Sequence, residues 1–392
     1  MIERNLGAYL LQRVKEAPVL TVLGPRQSGK TTLLRHLFPQ KPYVSLEDPE
    51  HREEAETDPR AFLGRFPSGG ILDEIQRVPT LLSYIQGIVD AHKQAGEFIL
   101  TGSQQLGLLA SVSQSLAGRT ALATLLPCSL DELSRFSDAP STSLDHVMLT
   151  GGYPRIFDRH VPPHGWLSDY IETYIERDVR QIQNIGDLRA FRRFVQLCAG
   201  RTAQVLNMSN LAADAGISHN TAKAWLSALE ASFIIFLLPA FHRNLNKRLV
   251  KAPKLHFVDT GIVCSLLGIE STTVLNRHPL RGAIFETWVV SEIYKQRLHG
   301  GKKPNMYHMR DTRGREVDLL IEDATTLTAV EMKSGQTIAQ DFFAQLTYLG
   351  ELAASDPLIA SYVPRLIYGG NDYVMRSSGE VLGWAKIHDC VW

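Results

Sequence analysis

The sequence predicts an α/β protein in three parts, and three observations carry that prediction. Short apolar strands alternate with helical segments at the start of the chain. A glycine-rich GxxxxGK[ST] loop lies between one of those strands and the helix after it. A helix-turn-helix pattern then separates this part from a second stretch of mixed α and β. The expected domains are 1–135, a helical middle region at 144–270 and a C-terminal α/β region at 280–392. A chain of 392 residues is too long for one ordinary core, which agrees with that division.

The strands expected in the first part are Val19–Leu23, Tyr43–Leu46, Ile71–Asp73, Phe98–Thr101 and Ala121–Leu125, most of them followed by a helix. Strands that alternate with helices form a mainly parallel sheet, because a parallel pair needs a crossover of helical length. The run from Phe136 to Ser143, rich in Ser, Asp, Ala and Pro, reads as a loop or boundary.

The loop Gly24-Pro25-Arg26-Gln27-Ser28-Gly29-Lys30-Thr31, followed by Thr32, fits the phosphate-loop pattern at every fixed position. An apolar strand leads into it and Thr32–Leu37 continues as a helix. Backbone N–H groups freed by the glycines turn inward around phosphates, and the helix N-terminus adds partial positive charge. These residues are the expected ATP site. Lys30 is expected on the β and γ phosphates, and the Thr31 hydroxyl on Mg²⁺.

Ile71-Leu72-Asp73-Glu74 supplies the complementary half, a short apolar strand ending in two carboxylates. Asp73 is expected to hold Mg²⁺ through its water shell, and Glu74 to orient or deprotonate the attacking water. Phe98–Ser103 is a further strand with polar residues at its end. It offers Thr101 or Ser103 to the γ-phosphate, although a strand followed by an ordinary turn would look the same. Arg119 is the candidate charge-neutralising arginine. If it acts in trans, it implies a homo-oligomer with sites between subunits.

In the middle region, Trp166–Gln183 and Leu188–Ala199 read as helices. Leu211–Ala215 reads as a short helix, Gly216–Ser218 as a turn with Ser218 as N-cap, and His219–Ala231 as a second helix. Ala222, Trp225, Leu226 and Leu229 follow the spacing of one buried face. His219, Asn220 and Lys223 occupy the other face, which suits a helix in a groove of DNA. A strand at Ser232–Leu238 follows, completing a winged-helix pattern. The stretch His242–Lys254 then holds Arg243, Lys247, Arg248, Lys251 and Lys254 without an acidic residue, as phosphate contacts require. Units of this kind also serve as protein–protein modules, so DNA and protein partners both stand.

In the last part an amphipathic helix opens at Phe285 and carries Glu286. Strands follow at Met306–Arg310, Glu316–Ile321 and Leu327–Lys333. Glu331 and Lys333 are two apart on one strand, so both point to the same face, where Asp318 on the neighbouring strand can meet them. Two carboxylates and a lysine in this arrangement are the parts of a metal-dependent phosphodiesterase. Asp318, Glu331 and Glu286 would hold a second Mg²⁺ or Mn²⁺, and Lys333 would activate water. A hairpin with solvent-facing charges would show the same alternation.

Taken together, GPRQSGKTT, ILDEIQ, ILTGSQ, SLAGR, GGYP, VDTGI, FETWVV and REVDLLI…AVEMKSG resemble, in this order, one family across essentially the whole chain. It is the bacterial and archaeal AAA-type ATPases that join a P-loop domain to a winged helix and a C-terminal PD-(D/E)xK-like domain. The resemblance implies an AAA-like ATPase domain, a helical or winged-helix middle domain and a restriction-endonuclease-like α/β domain. It matches Glu286, Asp318, Glu331 and Lys333 to the nuclease-type core, which domains of this shape also keep without cleaving.

Lys plus Arg and Asp plus Glu balance at 41 each, so net charge gives no reason to expect nucleic acid, and any DNA surface must come from local clustering. Cys128, Cys198, Cys264 and Cys390 have neither disulfide nor zinc spacing, and fit reduced thiols. The longest apolar run, Phe233–Phe241, is broken by Pro239 and falls well short of the ~20 residues of a spanning helix. With no signal-peptide pattern at the start, a cytoplasmic protein is expected. The resulting expectation is an ATP-hydrolysing protein that binds or processes DNA. The alternative is a nucleotide-operated switch whose later domains bind protein partners.

Overall fold

The computed structural model describes residues 2–103, 115–136, 143–175, 186–241, 251–311 and 313–392. The chain forms two compact units. The first runs to Cys128 and takes in the short returns 231–233 and 298–302; the second comprises 129–230, 234–297 and 303–392.

The first unit is a five-stranded sheet of β1 (Val19–Leu23), β2 (Tyr43–Ser45), β3 (Ile71–Asp73), β4 (Phe98–Gly102) and β5 (Thr120–Thr124). All neighbouring pairs are parallel, in the order β2-β3-β4-β1-β5. Every residue of β1 and β4 is buried, which is why these strands read as largely apolar runs interrupted only by Thr21 and Thr101 before the closing glycine of β4. Helices α1 (Leu6–Arg13) and α2 (Lys30–Leu37) supply Leu6, Leu10, Leu33 and Leu34 to a core with Leu20, Val22, Ile71 and Ile99. Burying each such side chain contributes roughly 1.5–3 kcal/mol. Because β4 lies between β1 and β3, the carboxyl ends of all three strands meet at one edge of the sheet. Ligands of open parallel sheets gather at such an edge.

In the second unit, α3 (Leu188–Ala199), α4 (Met208–Ala215) and α5 (His219–Ala231) accompany a small antiparallel sheet, whose first strand lies between α3 and α4. That sheet has the order β6 (Gln204–Val205), β8 (Lys254–Phe257), β7 (Ile235–Leu238). Trp225 of α5 meets Phe191 and Phe194 of α3 edge-on, at ring distances of 5.3 and 5.5 Å. The strand expected from Ser232 begins only at Ile235. The Ile234 N–H still bonds Leu229 O at 3.0 Å, and Phe233 takes a left-handed conformation with φ 58°, so the backbone straightens later than the apolar run begins. The helix expected over Trp166–Gln183 is instead α-helical over Pro163–Tyr170 and widens to a π turn at Ile171–Ile175. The remainder of that span lies outside the described residues.

The rest of this unit is the long helix α6 (Arg281–His299) and a six-stranded mixed sheet. Its strands are β9 (Met306–Arg310), β10 (Glu316–Asp323), β11 (Thr326–Lys333), β12 (Ser361–Tyr368), β13 (Tyr373–Arg376) and β14 (Gly379–Gly383). Helix α7 (Ala344–Ala354) buries Leu346, Leu349 and Ala353 against Val317, Leu320, Leu327 and Ala329 of this sheet. The pairing of β9 with β10 shifts register between Val317 and Leu320, beside Asp318. Such irregularities re-aim a side chain locally.

Two short motifs far apart in the chain meet in this unit. Asp259 is buried, and its carboxylate accepts hydrogen bonds from the N–H groups of Gly152 at 2.7 Å and Gly261 at 2.9 Å. Gly151 has φ 71°, and a Cβ there would stand 2.1 Å from Asp259 Oδ1, so only glycine fits. Gly151-Gly152 and Asp259 thus hold each other in place.

Candidate active site

The loop after β1 turns into α2 within eight residues because Gly24 and Gln27 adopt positive φ, 150° and 60°. A Cβ at Gly24 would stand 2.0 Å from Leu125 O, so the first glycine of the loop is sterically required. Lys30 is buried, and its Nζ donates to the carbonyls of Gly24 and Pro25, both at 2.9 Å. Burial lowers its pKa, while the charges of Glu74 and Asp73 pull it back up.

Thr31, the second residue of α2, donates from Oγ1 to Asp73 Oδ2 at 2.9 Å. Asp73 ends β3. The same oxygen accepts the Tyr43 hydroxyl at 2.8 Å, and Oδ1 accepts the Thr101 hydroxyl. The sheet register explains this meeting: Leu72 faces Leu100, so the next residues, Asp73 and Thr101, come abreast. Thr101 Oγ1 also accepts the Glu74 N–H at 3.1 Å. Glu74 itself takes a left-handed conformation, φ 57° and ψ 46°. Its Oε2 accepts from Ser103 Oγ at 3.0 Å and from Gln76 Nε2. Both polar residues at the end of β4 therefore touch the carboxylate pair, Thr101 on Asp73 and Ser103 on Glu74.

The pairing of Thr31 Oγ1 with Asp73 fits a Mg²⁺ held directly by the hydroxyl and, through water, by the carboxylate. Arg26, within the loop, pairs with Glu47 at 3.0 Å. Arg119 is not brought to this edge. It precedes β5, its carbonyl accepts the Val19 N–H at the start of β1, and its guanidinium pairs with Asp90. It thus sits at the opposite end of the parallel strands from the loop, which excludes a role on phosphates bound to its own chain.

Sequence reasoning missed Arg4, Tyr43 and Gln76. Arg4 is buried and donates to Ser28 O and Leu126 O, both at 2.7 Å, bracing the loop from behind. Its partners are too distant in sequence for spacing to show the contact.

In the middle region His219, Asn220 and Lys223 are exposed on α5, opposite its buried Ala222, Trp225, Leu226 and Leu229. Arg243, Lys247 and Arg248 lie outside the described residues. Lys254 corrects the reading of the basic stretch. It is 1% exposed and faces carboxylates, so it cannot meet a nucleic-acid phosphate.

The C-terminal candidates do gather, but around two ammonium groups. Lys254 Nζ lies 2.7 Å from Glu286, 2.5 Å from Glu316 and 3.7 Å from Asp318. Lys333 Nζ donates to Glu331 at 2.6 Å, and Asp318 Oδ2 accepts the Met332 N–H at 2.9 Å. Burial opposes the charge of Lys254, yet Glu286, Asp318 and Glu316 outweigh it and raise its pKa. Burial and the Asp318 charge push Glu286 up to about 8 and Glu331 up to about 7. Among the described residues, no group of three or more His, Cys, Asp or Glu side chains is arranged to hold a metal ion. The expected ligand set of Glu286, Asp318 and Glu331 is thus not assembled as one cage, because Glu286 turns to Lys254. Lys254 and Glu316 were not anticipated as members of this cluster. No helix among the described residues is long and apolar enough to cross a membrane.

Three family models match the chain. An AAA domain covers residues 16–134, one domain of unknown function (DUF8612) covers 141–273, and a second (DUF4143) covers 281–386. Among solved structures, the Walker-type ATPase PABY2304 of Pyrococcus abyssi is 15% identical. The match covers 68% of this chain and 96% of that one, with a TM-score of 0.47. AMPPCP-bound DnaA of Aquifex aeolicus is also 15% identical, over 57% of this chain and 85% of that one, with a TM-score of 0.32. The uncharacterized proteins Rv2008c of Mycobacterium tuberculosis and Mb2031c of Mycobacterium bovis are each 31% identical over 343 residues, 86% of this chain and 75% of theirs. With that identity over 86% of this chain and 75% of theirs, the chain belongs to the family of these mycobacterial proteins.

Proposed function

We propose that this protein hydrolyses ATP at the loop Gly24–Thr32, with Asp73 and Glu74 completing the site, and couples that reaction to a DNA contact made by α5. The observation that carries the ATPase reading is the chain of bonds Thr31–Asp73–Thr101–Glu74 beside the buried Lys30. It sets two hydroxyls, two carboxylates and a cation at one sheet edge. Lys30 would leave the loop carbonyls for the phosphates, Thr31 and Asp73 would hold Mg²⁺, and Glu74 would take a proton from the attacking water. Mg²⁺ would neutralise charge on the β and γ phosphates. Arg119 enters this scheme only as a residue offered to a neighbouring copy in a homo-oligomer.

The DNA reading is supported by the exposed His219, Asn220 and Lys223 on the second helix of a helix-turn-helix pattern. No cleavage step is assigned to the C-terminal cluster. One observation there favours the second reading, a nucleotide-operated switch with protein partners: Lys254 neutralises Glu286 and Glu316 from within the fold. Steady-state ATP hydrolysis with and without single- and double-stranded DNA tests both readings, with Glu74→Gln as the blank. Turnover that rises with DNA and vanishes in the variant supports coupling. Turnover indifferent to DNA favours the switch, and no turnover despite ATP binding removes the ATPase reading.

A further inference from the structure

The six-stranded sheet ends on β9 and β13, and its two edges differ. The β9 edge is covered by residues 239–241. Phe241 N–H donates to His308 O at 2.8 Å, and His308 N–H donates to Pro239 O at 2.9 Å. Among the described residues, no strand pairs with the outer side of β13. That strand is nonetheless apolar. Tyr373, Val374 and Met375 are 52%, 38% and 62% exposed, so side chains on both of its faces meet water. Sheet edges are ordinarily protected by charge, proline or a bulge, and an apolar edge is a template for a further strand. The entry to β13 is held in place. Asp372 N–H donates to Tyr368 Oη at 3.1 Å, and Asn371 Oδ1 accepts from Trp384 Nε1 at 3.0 Å. The paired side of β13 fixes what its free side offers. Asp372 O accepts the Gly383 N–H at 2.8 Å, so Asp372, Val374 and Arg376 turn their backbone groups to β14. Tyr373 and Met375 then turn theirs to the open edge.

We propose that a second copy of this chain lays its own β13 antiparallel along this edge, about a two-fold axis at Val374, and joins the two six-stranded sheets into one. The sequence Asp372-Tyr373-Val374-Met375-Arg376 is complementary to itself in that register. Tyr373 lies opposite Met375 of the second copy, and these pairs exchange the outward N–H and C=O groups. Val374 faces its own counterpart. Asp372 falls opposite Arg376 of the second copy, and the converse, giving two opposite-charge pairs. Among the described residues, neither side chain is engaged in a salt bridge of its own chain. Shifting the axis to Tyr373 or Met375 keeps the backbone match but sets a charge against Val374. The charges therefore select the register, and their self-complementarity selects a second copy as the occupant. An isologous contact of this kind closes at two subunits. It does not rest on the ATPase reading.

Sedimentation velocity of the full chain without nucleotide, from about 1 to about 200 μM, tests it. An edge of four residues makes a contact at the small end of specific interfaces, so a reversible, concentration-dependent dimer is expected. Met375→Pro removes an outward N–H and spares the ladder to β14, so that variant should stay monomeric and melt with wild type. Arg376→Asp sets like charges opposite each other and should weaken the dimer at least about tenfold. Adding Asp372→Arg to it should restore association. In a Cys390→Ser background, Val374→Cys should cross-link to its own copy under mild oxidation. The Cα atoms of a non-hydrogen-bonded pair stand about 4.5 Å apart, within disulfide reach. A wild-type chain that is monomeric at every concentration overturns the proposal and leaves the edge to a strand of another protein. Association that survives Met375→Pro or Arg376→Asp places the contact elsewhere and overturns it too. So does a charge swap that fails to restore the dimer, or a Val374→Cys chain that fails to cross-link. Should Met375→Pro melt early, the charge variants decide alone.

Discussion

Tyr43 Oη donates to Asp73 Oδ2 at 2.8 Å, on the same oxygen that receives the Thr31 hydroxyl at 2.9 Å. Burial, and then the Asp73 charge, push the Tyr43 phenol up to about 12, so it stays a donor across the working pH range. Groups that orient a metal-holding carboxylate typically cost 10–100-fold in metal affinity or activity when removed. Tyr43→Phe is therefore expected to raise the Mg²⁺ concentration for half-maximal hydrolysis by about 10-fold. Binding of metal-free nucleotide should be unaffected. A Mg²⁺ titration identical to wild type would show that Thr31 and Thr101 suffice to hold Asp73.

Arg4 joins the loop to the strand beside it through Ser28 O and Leu126 O. Arg4→Ala leaves two buried carbonyls without this donor, a loss of about 1–3 kcal/mol for each group that water cannot reach. Chemical denaturation should show that loss, and nucleotide affinity should fall with it as the loop loosens. Arg4→Lys should recover only part, because one ammonium cannot reproduce the two-pronged geometry. Full recovery by lysine would mean that only the charge matters.

The contrast between these residues and the loop itself shows what a sequence makes legible. Gly24, Lys30 and Thr31 lie within eight residues, and their spacing alone encodes the turn into a helix. The strand bounds Val19–Leu23 and Ile71–Asp73 were readable because a central parallel strand is mostly apolar and ends where polar residues reach the sheet edge. The helix His219–Ala231 was readable from its periodicity. Lys254 was misread for the complementary reason. It ends a run of basic residues, but the pairing of Leu238 with Lys254 carries it into the fold, beside Glu316 on β10 and Glu286 on α6. Nothing local distinguishes a lysine aimed at solvent from one aimed at carboxylates that lie later in the chain. Arg119 was likewise chosen by type, whereas its position is set by which end of β5 it precedes.

His308 gives the second unit a pH-dependent term of definite sign. It is buried, its Nε2 bonds Ala252 O at 3.0 Å, and burial together with the nearby Lys254 charge lowers its pKa from 6.5 to about 4. The unfolded chain takes a proton below 6.5 and the folded chain only below about 4. The stability contributed is complete above 6.5 and is lost as pH falls through that window, up to about 3 kcal/mol. Glu286 and Glu331, raised to about 8 and about 7, act in the opposite sense as pH rises. The informative quantity is therefore the difference between wild type and His308→Gln in urea unfolding. The variant should gain on wild type steadily as pH falls from 6.5 toward 4. A constant difference would mean that His308 takes up its proton over the same pH range in the folded and unfolded chains.

The exposed face of α5 makes the DNA reading testable residue by residue. His219 and Lys223 are four apart and so lie one above the other on the helix, with Asn220 beside them, while Trp225 and Leu226 are spent on the core. Lys223 is the only one of the three that carries a fixed positive charge, so in the DNA reading it would be the phosphate contact, and Asn220 would be the residue suited to a base edge. Lys223→Ala should weaken binding to all DNA sequences alike and reduce the slope of log affinity against log salt by about one. Asn220→Ala should leave that slope unchanged and flatten differences between sequences. Because neither side chain is packed, both variants should melt with wild type, so a loss of binding cannot be blamed on unfolding. If both variants bind as wild type does at every salt concentration, this face does not meet DNA. The helix-turn-helix would then be left to a protein partner, and the nucleotide-switch reading would take precedence over the DNA-coupled one.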